Sequence, residues 1–276
     1  MAMFRKVAIV GTGLIGGSLA LAIKKRNLAD TVVGVSRRES SIAFARKMGA
    51  IDSGSRSLGI IRGADLVVLA TPVNTMLELA PRIAKFVDKK CIVIDVGSTK
   101  NEVSVELSRI FPGYVGTHPL AGSEKRSIVH SSPGLFNGSL CILTPTEKTS
   151  KKALDKVIKL WLGVGAKTVD LLPREHDIVL SFVSHLPHIA AFSLIHSVPQ
   201  EFLKFGSSGL KDTTRIAASD SRIWADIFLS NAGNIIKASE LFKKNISSIA
   251  KAVAGKDRPK LIRILKSAKA KREKLG

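Results

Sequence analysis

Short apolar runs alternate with amphipathic segments through the first two thirds of the chain. The runs have the length and composition of buried strands, and the segments between them space their apolar residues as one face of a helix. This alternation predicts an α/β fold, a Rossmann-type doubly wound sheet. The predicted strands are residues 7–10, 31–35, 66–70, 91–96, 140–144 and 167–171, and the predicted helices are residues 18–25, 39–48, 75–86, 100–110 and 151–162.

The pattern changes after Pro173. Apolar residues at helical spacing continue over residues 176–196, 222–253 (a segment that could be broken) and 258–274, and no strand signal interrupts them. We therefore expect a dinucleotide-binding domain at residues 1–172 and an all-helical domain at residues 173–276.

The length of the apolar runs and the placement of the cysteines bear on the cellular location. No apolar run approaches the ~20 residues of a membrane-spanning helix, and the first residues lack the features of a signal peptide. Cys91 and Cys141 both lie in apolar runs, which favours buried, reduced thiols. We expect a cytoplasmic protein without a membrane partner.

A glycine-rich turn follows the first predicted strand and opens the first helix. Gly11 permits a tight turn, Gly13 lets the backbone approach a pyrophosphate, and Gly16 lets the helix pack close to the strand. The helix N-terminus then offers unpaired N–H groups to the phosphates. The residues predicted to bind a dinucleotide here are Gly11, Thr12, Gly13, Leu14, Ile15 and Gly16, with Thr71 and Pro72 after the 66–70 strand.

The end of the second strand bears on the choice of dinucleotide. NAD-binding units usually place Asp or Glu there for the ribose hydroxyls, whereas this chain has Ser36, Arg37 and Arg38. A guanidinium pairs well with a 2′-phosphate, so the sequence favours NADP. The alternative is that both arginines are ordinary surface residues and the cofactor is NAD.

One histidine lies in a segment suited to proton chemistry. His118 follows the short apolar run at Tyr114 and Val115, with Pro119 next to it, glycines on both sides and a Glu-Lys pair after it. This composition predicts a loop, where a histidine is available for proton transfer. A nicotinamide that takes a hydride needs such a group nearby. The two features together predict an oxidoreductase.

The formal net charge of +21 admits two interpretations. A basic face could bind nucleic acid, or a solvated basic surface could attract an anionic substrate and cofactor. The basic residues are spread along the chain, with some concentration after Lys251, and aromatic residues are only 5% of the composition. Because the interleaved aromatics of a single-strand platform are missing, we favour the second interpretation and expect no nucleic-acid partner.

Several sequence blocks occur in the order of one family. They are GTGLIGGS at Gly11, DVGSTK at Asp95, THPLAGSEK at Thr117, SHLPH at Ser184 and KDTTRIAASD at Lys211. In these blocks the chain resembles the prephenate/arogenate dehydrogenases of tyrosine biosynthesis. The resemblance implies that the helical domain at residues 173–276 is a substrate and dimerisation domain, so that the protein is a homodimer. It also implies an NAD(P)-dependent oxidative decarboxylation, of prephenate to 4-hydroxyphenylpyruvate or of arogenate to tyrosine. The presence of His188 and the lack of an evident acidic partner for the ammonium of arogenate tilt the expectation to prephenate.

The resemblance also implies roles for three residues. His118 matches the catalytic histidine, which accepts a hydrogen bond from the ring hydroxyl. Ser98 matches a serine that hydrogen-bonds this histidine and the hydroxyl, although alone it would be interpreted as the N-cap of the helix beginning at Lys100. Arg215 matches the arginine that holds a substrate carboxylate, a task suited to its planar fork. The alternative for Arg215 is a salt bridge to a neighbouring aspartate.

Further implied substrate contacts are His188, Trp224 and Lys125. His185 and His188 share one face of an apolar helix; we expect His188 to contact the substrate side chain and His185 to be structural. No third ligand accompanies this pair, so no metal is expected. Departures from the family pattern are the residues after Lys125 and the position of Ser36.

Two other functions remain open at this stage. The first is another two-domain NADP reductase, such as an imine reductase or a β-hydroxyacid dehydrogenase. The second is a basic binding protein that keeps a dinucleotide fold without turnover. The combination of His118 with Arg215 argues against both.

Overall fold

The computed structural model describes residues 2–121 and 127–275 of the chain. Within these residues eight strands form one sheet in the order β3-β2-β1-β4-β5-β6-β7-β8. Neighbouring strands are parallel except β6 and β7, which are antiparallel. The strands are β1 Phe4–Val10, β2 Ala29–Val35, β3 Ser53–Ser55, β4 Leu66–Leu69, β5 Ile92–Asp95, β6 Tyr114–Pro119, β7 Leu140–Thr144 and β8 Lys167–Asp170.

Helices cover both faces of this sheet and bury two apolar cores. The inner strands are apolar on both faces, as burial on both sides requires. The strand order reverses between β1 and β4, which opens a crevice at their carboxyl ends. The helices of this half are α1 Leu14–Lys25, α2 Glu39–Lys47, α3 Val73–Ile83, α4 Asn101–Ile110 and α5 Lys151–Gly163.

The rest of the described chain is helical. Its first two helices are joined without a break by a π-helical turn at Ser181–His185. A 3-10 turn at Arg215–Ala218 packs against the second of them. The helices are α6 Pro173–Leu180, α7 Leu186–His196, α8 Ser208–Thr214, α9 Ser221–Ser230, α10 Ala232–Ala254 and α11 Arg258–Glu273.

The predicted fold class is confirmed, with corrections at single elements. The short strand β3 and the helix α8 escaped the sequence analysis. The segment 222–253 is indeed two helices, which meet at Asn231. His118 was predicted in a loop, but it lies in strand β6 opposite Ile142 of β7, because the ladder extends past the apolar run that marked the strand.

The expectation about membrane-spanning length also needs correction. The π-helical turn makes Pro173–His196 one helix of 24 residues, long and apolar enough to cross a membrane by length and composition alone. Such a helix is weak evidence of a membrane span, because core helices of soluble proteins meet the same criterion. Only 22% of its apolar window is buried within the single chain. A large apolar face is therefore left for a partner.

Candidate active site between the sheet and the helical half

The turn after β1 forms one wall of the crevice. Gly11 has a φ of +104°, and a Cβ there would lie 2.5 Å from the carbonyl oxygen of Ala70. Gly13 is the N-cap of α1, and a Cβ at this position would meet nothing within 4 Å. α1 has neither a side-chain cap nor an acidic residue in its first turn. Its first N–H groups are therefore available to an anionic ligand.

Two hydroxyl groups beside the crevice support a bound ligand. Thr12 Oγ1 and Thr71 Oγ1 are buried and have no hydrogen-bond partner among the described residues. Buried hydroxyls are normally satisfied, and these two follow β1 and β4, the strands that flank the crevice. A dinucleotide lying across the crevice would supply the partners. The residues present fit the cofactor, and we propose that residues 11–16 with Thr71 and Pro72 hold it.

The end of β2 lies where the adenosine ribose of such a dinucleotide is expected. Ser36 is half-buried and its N–H donates to the Ser55 carbonyl at 3.4 Å, while Arg37 and Arg38 are exposed. The first acidic residue after this strand is Glu39, in the first turn of α2. The surface here is basic rather than acidic.

A buried ion pair lies at the end of β5. Asp95 ends β5, and its fully buried carboxylate bonds the ammonium of Lys100, which is equally buried. The same carboxylate accepts the Tyr114 hydroxyl at 2.8 Å and the Gly97 N–H at 2.8 Å. Burial, with the Asp95 charge, raises the pKa of Tyr114 well above its ordinary value. A satisfied network at low dielectric holds the turn after β5 in one position.

β6 places His118 next to this network and in contact with the helical half. His118 Nδ1 lies 2.8 Å from His176 Nε2, and His176 Nδ1 lies 2.8 Å from Asp177 Oδ1. His176 and Asp177 are fully buried at the start of α6, whereas His118 is half-buried. Three side chains thus form one hydrogen-bonded row from sheet to helix.

Burial sets the protonation of these histidines. It lowers the pKa of His118 well below 6.5, and the neighbouring His176 and Lys100 add to the effect. Burial also lowers the pKa of His176, against the opposing hydrogen bond and charge of Asp177. Desolvation disfavours the charged imidazolium. His118 is therefore a neutral imidazole near neutral pH and is able to accept a proton.

The helical half contributes an aromatic and basic wall. The His188 ring stacks on Trp224, with centroids 3.4 Å apart and planes inclined by 22°. His188 Nδ1 donates to the Ser184 carbonyl at 2.9 Å. Burial lowers the pKa of His188, and the positive charge of Arg215 lowers it further. Arg215 lies on an exposed turn close enough to His188 to act on its protonation.

His185 and Asn231 connect these two sets of residues. The His185 ring centroid lies 6.1 Å from that of Trp224. The Asn231 amide donates to the Asp177 carbonyl at 2.7 Å and lies 3.2 Å from His185 Nδ1. Burial lowers the pKa of His185 to about 4. The structure therefore brings His118, His188, Trp224 and Arg215 to one junction.

Comparisons with known proteins show the family to which the chain belongs. Residues 19–170 match the family model described as the nucleotide-binding domain of prephenate dehydrogenase, and residues 172–267 match its dimerization domain. The chain belongs to the prephenate dehydrogenase family. A prephenate dehydrogenase of Bacillus subtilis is 35% identical over 280 residues, which cover 98% of this chain and 76% of the relative.

Solved structures of the family superpose closely. A prephenate dehydrogenase from Aquifex aeolicus, in complex with hydroxyphenyl propionate and NAD+, has a TM-score of 0.94 and 36% identity, covering 99% of this chain and 98% of the other. Synechocystis arogenate dehydrogenase has a TM-score of 0.86 and 26% identity, covering 99% and 100%. A nicotinamide dinucleotide is thus the cofactor of this prephenate dehydrogenase family member.

The two remaining residues of the predicted catalytic and substrate set are Ser98 and Lys125. Ser98 is half-buried in the turn after β5, and its hydroxyl makes no hydrogen bond within the described part of the chain. It is not the cap of α4: the N-cap is Lys100, and the Asp177 carboxylate accepts the N–H groups of Lys100 and Asn101 at 2.8 and 2.9 Å. Lys125 lies outside the described residues.

The residues that hold His118 from the helical half could not be identified from the sequence. His176 and Asp177 begin a helix, and no spacing pattern marks them as part of a site. Asp95 and Lys100 stand in the DVGSTK block, yet their burial as an ion pair depends on the tertiary fold. The signal available was Asp95, a charged residue at the end of an otherwise apolar strand.

The helical half exposes large apolar side chains. Leu229 is 76% exposed, Ile236 61% and Val253 59%. Exposed apolar surface of this extent marks an interface, and the segment falls in the match to the dimerization domain.

Proposed function

We propose that this protein catalyses the oxidative decarboxylation of prephenate to 4-hydroxyphenylpyruvate. The observation that carries the proposal is His118 itself, a neutral imidazole near the carboxyl end of β6, at the sheet edge where the crevice opens. Its Nδ1 is hydrogen-bonded to His176. The names of the Bacillus subtilis and Aquifex aeolicus relatives support the same substrate.

His118 acts on the proton of the ring hydroxyl. The bound nicotinamide supplies a hydride acceptor for the ring carbon that bears this hydroxyl. His118 Nε2 takes the hydroxyl proton as the hydride leaves, because Nδ1 is already committed to His176. The ring carboxylate then leaves as carbon dioxide, and its bonding electrons make the ring aromatic. The oxygen recovers the proton from His118 and becomes a phenol, so no net proton is released.

The other residues position the substrate. Prephenate carries two carboxylates, and Arg215 offers one a planar bidentate partner. Trp224 and His188 form a flat wall suited to a ring and its side chain. We propose that Ser98 lies beside His118 and bonds the substrate hydroxyl. Holding the reacting groups together supplies much of the rate enhancement, since aromatisation drives the chemistry.

For the cofactor we propose NAD, with NADP as a second, weaker acceptor. The NAD+ in the Aquifex aeolicus complex favours NAD, whereas the predicted preference for NADP rests only on Ser36, Arg37 and Arg38. These arginines are exposed. Salt therefore weakens their attraction for a 2′-phosphate. Replacing both by alanine should lower kcat/KM for NADP about tenfold and leave that for NAD within about twofold.

Arogenate is the second candidate substrate, and one observation favours it. His188 donates its Nδ1 proton to Ser184, so its Nε2 is an acceptor. An acceptor suits the ammonium of arogenate better than the keto oxygen of prephenate, so the orientation of His188 argues against the expectation that its presence favours prephenate. The Synechocystis relative is named for arogenate.

We also propose a domain division and a location. The boundary at residues 172 and 173 is supported by the end of β8 at Asp170 and the start of α6 at Pro173. A cytoplasmic location is supported by the biosynthetic relatives.

One steady-state experiment tests the function. The purified protein is given prephenate or arogenate with NAD or NADP, and reduced nicotinamide is followed by absorbance. We expect the highest kcat/KM for prephenate with NAD. A higher value for arogenate would transfer the proposal to the second substrate, and turnover of neither would overturn both.

A further inference from the structure

We propose that His176 and Asp177 are positioning residues that fix the tautomer of His118. The inference rests on the proposed function, because it concerns the histidine assigned there as the base. It starts from the row of hydrogen bonds His118 Nδ1···His176 Nε2 and His176 Nδ1···Asp177 Oδ1, each of 2.8 Å.

The direction of the row is set at its buried end. Asp177 already accepts two backbone N–H groups at the start of α4, one on each carboxylate oxygen. An ionised carboxylate only accepts hydrogen bonds, so the proton between Asp177 and His176 belongs to His176 Nδ1. The backbone of one half of the molecule thereby orients a carboxylate of the other.

The remaining protons follow in sequence. A neutral His176 with its proton on Nδ1 presents a lone pair at Nε2. His118 must then donate its own Nδ1 proton to that lone pair, which leaves the lone pair of His118 on Nε2. This is the nitrogen free to meet the substrate. The opposite tautomer would offer a proton to the hydroxyl and would be unable to accept one.

The hydrogen bonds from His118 to His176 and Asp177 do not conduct the hydroxyl proton to solvent. His176 and Asp177 are fully buried, and Asp177 is occupied as the cap of α4. The overall reaction returns the hydroxyl proton to the product oxygen, so it needs no exit. The arrangement therefore orients a base and holds its tautomer, as a third group does for other catalytic histidines.

The test compares two substitutions at His176. His176→Leu removes the acceptor for His118, whereas His176→Gln keeps an amide oxygen able to accept the same proton. We expect His176→Leu to lower kcat about 10²-fold, with KM for substrate and the dinucleotide Kd within about threefold of wild type. His176→Gln should recover at least about tenfold of that loss. His196→Gln, at an exposed histidine of the same helical half, is the matched control.

A double substitution separates positioning from packing. In a His118→Asn background His176→Leu should cause no further loss of kcat, because there is no imidazole left to orient. Equal losses in both backgrounds would overturn the proposal, as would wild-type turnover in His176→Leu or no recovery with glutamine.

If His176→Leu fails to fold, Asp177→Asn replaces it. An amide can donate to His176 and reverse the direction of the hydrogen bonds, so kcat should fall at least about tenfold. An unchanged kcat would contradict the assignment.

Failure of this inference is distinguishable from failure of the function. If wild type turns over neither substrate, the function itself is wrong. If wild type is active and His118→Asn is not, but His176→Leu keeps its activity, only the positioning role is refuted.

Discussion

The role proposed for His118 depends on the protonation of its imidazole. Burial holds the pKa of His118 well below 6.5, so the neutral base persists into mildly acidic solution. We predict that kcat/KM stays constant from pH 8 to below pH 6.5 and declines only at lower pH. A decline centred at or above pH 6.5 would show that the imidazole titrates as if exposed. The profile is measured under conditions in which the fold is shown to be intact.

Arg215 allows a second test at the scale of one residue. Arg215→Ala removes the guanidinium proposed to hold a substrate carboxylate, and charge-assisted hydrogen bonds of this kind contribute about 1.5–3 kcal/mol. We expect KM for prephenate to rise about 10- to 100-fold, with a smaller change in kcat. Arg215→Lys should recover part of the loss, since it keeps the charge without the fork. An unchanged KM in Arg215→Ala would remove the residue from the substrate site.

At the scale of the element, two glycines of the turn between β1 and α1 allow dinucleotide binding and folding to be tested separately. A Cβ on Gly13 meets no atom within 4 Å, whereas one on Gly16 would lie 2.1 Å from the Gly11 carbonyl oxygen. Gly13→Ala should keep the unfolding midpoint and weaken dinucleotide binding at least about tenfold. Gly16→Ala should destabilise the fold by about 3 kcal/mol or more. Normal cofactor affinity in a folded Gly13→Ala protein would contradict the proposed path of the pyrophosphate.

Most elements could be predicted because apolar runs and helical spacing are local properties. β4 and β5 are short, wholly buried strands that the pattern marks directly. β3, with the sequence Ser-Gly-Ser, carries no apolar signal, and only pairing with β2 makes it a strand. The strand position of His118 escaped prediction for the same reason, since pairing with β7 extends β6 beyond its apolar part.

Residues of the candidate site could be proposed from the sequence where they stand in a family motif. They could not be proposed where only tertiary contacts bring them together. His118 and Arg215 stand in recognisable blocks. The cap of α4 could not be found locally, because Asp177 lies 77 positions from Lys100 in the chain. The buried pair of Asp95 and Lys100 is likewise invisible to a pattern that counts charges as surface residues.

At the scale of the whole molecule, the exposed apolar residues of the helical half predict a dimer. We expect wild type to have twice the 29.6 kDa mass of the chain by light scattering. Leu229→Glu with Ile236→Glu should give a monomer, because charges buried in an apolar interface are costly. Leu162→Glu, at a residue of α5 that is 54% exposed, is the control and should leave the dimer intact. A dimer that survives the double substitution would place the interface elsewhere.

The central claim is that His118 performs the proton chemistry in a cleft where dinucleotide and substrate meet. Its most direct test is the turnover of His118→Asn measured together with its dinucleotide affinity. We predict that kcat falls at least about 10³-fold while the dissociation constant for the dinucleotide stays within about twofold of wild type. Turnover within about tenfold of wild type in this variant would contradict the account.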